Sequence, residues 1–233
     1  MSNSAKVSSR DAILGRIRQS LGREAGQYDA PKDVLDRLSV PKSNAVVPAR
    51  AQISHDQQVA LFEQMAIGVN ATVVHAAGAE DIPREVARFL VEHNLPARVK
   101  TSPDASISGL PWSETALEVT AGAAGPEDAV SVTSSFGGVA ETGSLMLRSG
   151  AQTPYTLNML PDTHIAVVKA SEIVGTYEEI WARLRTEDGQ GNMPRTFLWV
   201  TGPSRTGDIE QTIQLGAHGP RRLHIVIVDD QAS

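Results

Sequence analysis

The sequence predicts an α/β fold: a single domain with a mixed, mainly parallel sheet, preceded by an N-terminal amphipathic helix and an extended arm. Three observations carry this expectation. After residue 55, segments with helical apolar spacing alternate with short β-branched runs, the pattern of parallel strands joined by crossover helices. Between about 116 and 170 such runs follow one another with little helix between them, so some neighbouring pairs are expected to be antiparallel. A hydrophobic content of 41% over 233 residues supplies one substantial core. The expected boundaries are 1–54 for the helix and arm and 55–233 for the α/β body.

Taken in order, "SRDAILGRIRQSLG" at 9–22 places Ile13, Leu14, Ile17 and Leu21 at helical spacing, with Ser8 or Ser9 as cap and Gly22 as stop. Residues 23–54 hold Pro31, Pro41 and Pro48, many polar side chains and only "DVLDRL" as helical content. Either the body, a partner, or a second copy in a homo-oligomer would have to cover such an arm; the other reading is a disordered tail. A helix is then expected at 55–69, a strand at "ATVVHA", a helix at "AEDIPREVARFLVEHN" and a strand at "ARVKT". The strands "ALEVTAG", "DAVSVTSS", "GSLMLRS" and "HIAVVKA" follow, then helix "TYEEIWARLRT", strand "TFLWVTG", helix "GDIEQTIQLG" and the apolar strand "LHIVIVDD".

Composition narrows the chemistry. With no cysteine, the chain has no thiolate nucleophile, no disulfide and no Cys-held iron–sulfur cluster or zinc site of its own. A net charge of −6 argues against a nucleic-acid partner. No apolar run approaches the length of a membrane span and the N-terminus lacks a secretion signal, so a cytoplasmic protein is expected. The six histidines show no metal-ligand spacing, so no metal site is predicted; His75 and His218 fall where they can reach a cleft at the strand ends.

Two stretches carry candidate chemistry. In "VSVTSSFGGVAETGSLMLRS" the pattern reads as strand, glycine turn, strand, with Gly137 and Gly138 at the turn and Glu141 following. A carboxylate there can act as nucleophile, general base or acceptor for a ligand hydroxyl; the alternative is a salt bridge to Arg148 or hydrogen bonds to the turn itself. Glu141 is the candidate catalytic residue, with Gly137, Gly138 and Thr142 as substrate contacts. In "TFLWVTGPSRTGDIEQTIQLG" a strand runs through Gly202-Pro203 toward an expected helix, so free amides and the side chains of Ser204, Arg205, Thr206 and Asp208 would meet an anionic ligand, with Arg205 gripping its carboxylate. The alternative makes Thr206 or Asp208 a helix cap and pairs Arg205 with the acids of the first turn. The two stretches are expected to wall one shared hollow for a small anion.

The blocks "SSFGGVAETGSLML", "LNMLPDTHIAVVKASEIV" and "TGPSRTGDIEQTIQLGAHGPRRLHIVIVD", with the opening R-x-x-I-L-x-R-I-R-x-x-L, resemble the lactate utilisation protein C family (LutC/YkgG, LUD domain). The resemblance implies a fold like that of the NagB/RpiA/CoA-transferase group and a role in oxidising L-lactate to pyruvate. It implies iron–sulfur chemistry on partners, lactate utilisation proteins A and B, with no cofactor bound by this chain and a small carboxylate as ligand. It leaves open whether this chain is itself catalytic. A stand-alone acyl- or formyl-transfer enzyme using Glu141, or a non-catalytic assembly module, are the alternatives.

Overall fold

A computed structural model describes residues 8–22, 32–39, 46–189, 192–209 and 212–230. The chain divides into two units, Met1–Ser43 and Asn44–Ser233. In the first, helix α1 (Ser9–Ser20) is capped by the Ser8 hydroxyl, which accepts from the Asp11 amide, and is followed by Gly22 at φ +62°. It buries none of its residues. Helix α2 (Lys32–Ser39) follows; residues 23–31 and 40–45 of the expected arm lie outside the described residues.

The second unit begins before residue 55, with Ala51 buried and its carbonyl accepting from Gln58 at 3.1 Å. Its elements are α3 (His55–Gly68), β1 (Thr72–Ala76), α4 (Ile82–Glu92), β2 (Arg98–Thr101), the short α5 (Ala105–Ser108), β3 (Glu118–Ala121), β4 (Val130–Ser134), β5 (Gly137–Val139) and β6 (Ser144–Arg148). They continue with β7 (Thr163–Lys169), β8 (Ile173–Val174), α6 (Tyr177–Asp188), β9 (Phe197–Val200), β10 (Arg205–Ile209), β11 (Thr212–Leu215) and β12 (Arg222–Val228). Capping boxes start α3 at Ser54 and α6 at Thr176, so each helix begins where its first orphan amides find side-chain acceptors.

Six strands form one sheet in the order β1-β12-β7-β4-β2-β3, and every described pair in it is parallel. The antiparallel pairs expected from the crowded middle of the sequence segregate into a second sheet, β8-β5-β6-β9, and into the hairpin β10-β11. Alternation along the central strands sets the layers. Ile165, Val167, Val226 and Val228 face α4 and pack with Val86, Phe89 and Leu90. Ala166, Val168, Ile225 and Ile227 face the other way, onto Phe62 and Ala66 of α3 and Leu145 and Leu147 of β6. A third cluster joins Val139 and Met146 to Ile180 and Leu184, so α6 lies against the outer face of the small sheet.

Two expectations need correction. The stretch 207–216, expected to be a helix, enters the β10-β11 hairpin, with Arg205 paired to Leu215 and Thr206 to Gln214 and a register shift before Ile209. Thr206, Ile209, Thr212 and Ile213 are β-branched and favour extended backbone over a helix turn. Glu210 and Gln211, the acid and amide of the supposed first turn, lie outside the described residues. The second correction concerns Gly137 and Gly138, which are not a turn. They are strand residues of β5, paired with Met146 and Leu145, and the chain reverses later, at Gly143 with φ +64°. Glycine is required in the strand because an added Cβ would lie 2.8 Å from the Glu172 carbonyl at Gly137 and 2.9 Å from the Phe62 ring at Gly138.

Candidate functional site

The reversal and the Pro-Ser-Arg corner, far apart in sequence, do meet. Both close on the C-terminal end of α3: a Cβ on Gly143 would lie 2.3 Å from the Ala66 nitrogen, and one on Gly202, at φ +76°, 2.4 Å from the Val69 carbonyl. Four hydroxyls tie the two segments together. Ser144 Oγ lies 2.6 Å from Thr201 Oγ1 and 2.9 Å from the Tyr177 hydroxyl, and Thr142 Oγ1 lies 2.8 Å from Ser144 Oγ and 2.9 Å from Tyr177. Thr142 is thereby a structural joint of this network.

Beyond that joint the two segments part company. A hollow of about 500 Å³ opens at the amino end of the parallel sheet, lined by Ser204, Arg205, Asn158, His164, Trp199 and His218 among others. Gly137, Gly138, Glu141 and Thr142 do not line it. Glu141 is buried to 6% exposure, its amide donates to the Gly175 carbonyl at 3.2 Å, and its carboxylate has no ion-pair partner among the described residues. The salt bridge to Arg148 considered from the sequence is not formed: Arg148 pairs instead with Asp188 at 2.8 Å.

Within the hollow, Arg205 donates through Nη2 to the Val69 carbonyl at 2.6 Å, which caps α3 and fixes the guanidinium at the rim. Ser204 contributes a side chain, while its amide is taken by the Pro220 carbonyl at 2.8 Å. The cradle of free amides expected of a helix start is therefore replaced by hairpin pairing. Thr206 Oγ1 is buried without a hydrogen-bond partner and does not line the hollow; the Asp208 side chain lies outside the described residues.

His164 is the residue that sequence reasoning passed over. It sits on the central strand β7 at 1% exposure, with Nε2 at 2.7 Å from Thr133 Oγ1, which in turn lies 3.4 Å from Asn158 Oδ1. Burial lowers its pKa from 6.5 to about 4, so the imidazole is neutral at pH 7. A polar residue inside the apolar run "HIAVVK" was the available signal. His218 is exposed and lines the same hollow, whereas His75 is exposed and pairs with Glu63 at 3.0 Å, outside it. Among the described lining residues there is no carboxylate, so the fixed charge of the hollow is the positive Arg205. No group of three or more His, Asp or Glu among the described residues is placed to hold a metal ion, and no described helix is long and apolar enough to cross a membrane.

Residues 127–228, which span β4 to β12, match the LUD domain family model. The chain is 30% identical to lactate utilization protein C of Deinococcus radiodurans over 82% of its own length and 88% of that protein. It belongs to the LUD-domain, lactate utilisation protein C family. A second relative, lactate utilization protein C of Exiguobacterium, is 25% identical over 98% of this chain and 99% of its own. A crystal structure of a DUF162 family protein from Deinococcus radiodurans superposes with a TM-score of 0.58 at 25% identity, covering 76% of this chain and 99% of that one. The LUD match takes in the Gly143 reversal and every described lining residue of the Arg205 hollow except Val69.

Proposed function

We propose that the chain is a cysteine-free component of a lactate-utilisation system that binds a small 2-hydroxy or 2-oxo carboxylate in the amino-edge hollow, with iron–sulfur chemistry supplied by lactate utilisation proteins A and B. The names of full-length relatives support the system, and the hollow supports the ligand. One observation carries the assignment of the site: a fixed guanidinium, a serine and two histidines gathered in a cavity whose described lining contains no acid. A carboxylate entering it meets Arg205 and Ser204 without like-charge repulsion, and a hydroxyl or keto oxygen beside it meets the neutral His164 and Asn158. Glu141 lies outside this hollow and is given no step in this reading.

The test is a titration of the purified chain with L-lactate, D-lactate and pyruvate, followed by ligand-detected NMR. Arg205→Ala is expected to weaken binding about tenfold, the scale of one charge-assisted hydrogen bond at a partly open site, and Arg205→Lys to recover part of it. The same Ala variant should raise the lactate concentration needed for half-maximal dye reduction by the assembly reconstituted with its iron–sulfur partners by a similar factor. Unchanged binding in Arg205→Ala would remove the hollow from consideration.

A further inference from the structure

We infer that a second cavity, at the opposite edge of the parallel sheet, is a binding site for a nucleoside monophosphate. It lies where strand order reverses: the chain leaves β2 outward to β3 but leaves β4 inward to β7 and β12. In open α/β sheets the crevice outside the carboxyl ends at such a point is where ligands bind. Here the loops after β2 and β4 meet across it, with Ser134 donating to the Asp104 carboxylate at 3.1 Å. The cavity measures about 940 Å³, far more than a three-carbon acid fills and near the top of the range for organic ligands.

Its chemistry selects the class. The half-buried Leu110, in the segment after β2, leaves apolar surface open for a flat ring, backed by the buried Ile82, Ile107 and Val228. From β6, β7 and α6 come three cations, Arg148, Lys169 and Arg183, interleaved with Glu172, Glu187 and Asp188. Arg148 is held by Asp188 at 2.8 Å and Arg183 by Glu187 at 2.7 Å, and both guanidiniums cover the Phe136 ring, at 4.7 and 4.5 Å from its centroid. Lys169 is the loosest of the three, 3.8 Å from Glu172 and half exposed, so its ammonium can turn to an incoming phosphate. The same cavity is lined by Ser135, whose amide donates to the Val167 carbonyl at 2.8 Å and whose hydroxyl is buried without a hydrogen-bond partner. A bare anion would meet the carboxylates with nothing to offer them. A nucleoside monophosphate gives Lys169 and Ser135 a phosphate, gives the carboxylates ribose hydroxyls to accept from, and lays its base on the apolar side chains.

The test is calorimetric titration of the full chain with AMP, GMP, CMP and UMP, alongside ribose 5-phosphate and inorganic phosphate. At least one nucleotide is expected to bind with a Kd below about 1 mM, tenfold or more tighter than ribose 5-phosphate. Lys169→Ala and Ser135→Ala should each weaken it at least fivefold, with Lys169→Arg recovering affinity and circular dichroism unchanged. Arg205→Ala should leave nucleotide affinity as it was, which separates this site from the carboxylate hollow. The inference is overturned if no nucleotide binds, if ribose 5-phosphate binds equally well, or if both variants bind like the wild type.

Discussion

Acidification is predicted to weaken the fold through two histidines long before most carboxylates protonate. His164 and His224 are buried to 1% and 5% exposure. Burial lowers the first from 6.5 to about 4. The second falls from 6.5 to about 4 through burial, then the charges of His93 and Arg88, against an opposing hydrogen bond to the Thr72 backbone. A histidine with a depressed folded pKa takes its proton only on unfolding. Its contribution is therefore complete above about pH 6.5 and is lost as the pH falls toward 4. Each pH unit in that window removes about 1.4 kcal/mol per histidine. At pH 5 the two together cost about 4 kcal/mol, a large part of a typical domain's stability of about 5–15 kcal/mol. Asp230 does not confuse the window: burial, which would raise it, is outweighed by hydrogen bonds from Ser171, and its pKa falls below 3.8. Urea unfolding followed by tryptophan fluorescence at half-unit steps from pH 7.5 to 4.5 measures the slope. His224→Gln, which cannot titrate, should halve it whatever its effect on absolute stability. A flat profile between pH 6.5 and 5, or the same slope in the variant, would refute the reasoning.

Two further predictions concern the reversal. Gly143→Ala puts a Cβ 2.3 Å from α3 backbone at a φ of +64°, and should destabilise by about 3 kcal/mol or more, whereas Gly68→Ala on the same helix meets nothing within 4 Å and should be neutral or stabilising by up to about 1 kcal/mol; thermal midpoints of both variants check this. Glu141→Gln keeps the shape of a buried carboxyl that has no described ion-pair partner, so stability should stay within about 1 kcal/mol of wild type, and under the proposed function lactate-dependent electron transfer by the reconstituted assembly should persist. Loss of that transfer with an intact fold would return the carboxylate to the mechanism.

The parts of the fold that were legible in the sequence are those where one period dominates. The run "LHIVIV" and the apolar spacing of 82–92 became strand and helix because burial on one or both faces leaves no competing arrangement. The stretch 205–215 was expected to open a helix because Thr206 or Asp208 can cap one, a local signal that the pairing of Arg205 with Leu215 overrides. The glycine pair was misread because its reason is non-local: Phe62 and the Glu172 carbonyl, distant in sequence, occupy the space that side chains would take. Arg205 and Ser204 were expected to face a ligand and do line the hollow, but His164, Asn158 and Thr133 were not singled out, since only the parallel register of β4 against β7 sets Thr133 beside Ala166 and brings these side chains together. The nucleotide cavity had no signature at all, because its lining is drawn from segments scattered between Ala79 and Val228.

The position of β12 has a consequence for biosynthesis. Among the described strands it is the sole neighbour of β1 in the large sheet, and Thr72 finds His224 across 152 positions of chain. At roughly 5–20 residues per second of translation, β1 emerges and then waits on the order of ten seconds or more before its mate is made. Through that interval β1 stands without the strand it pairs with in the large sheet.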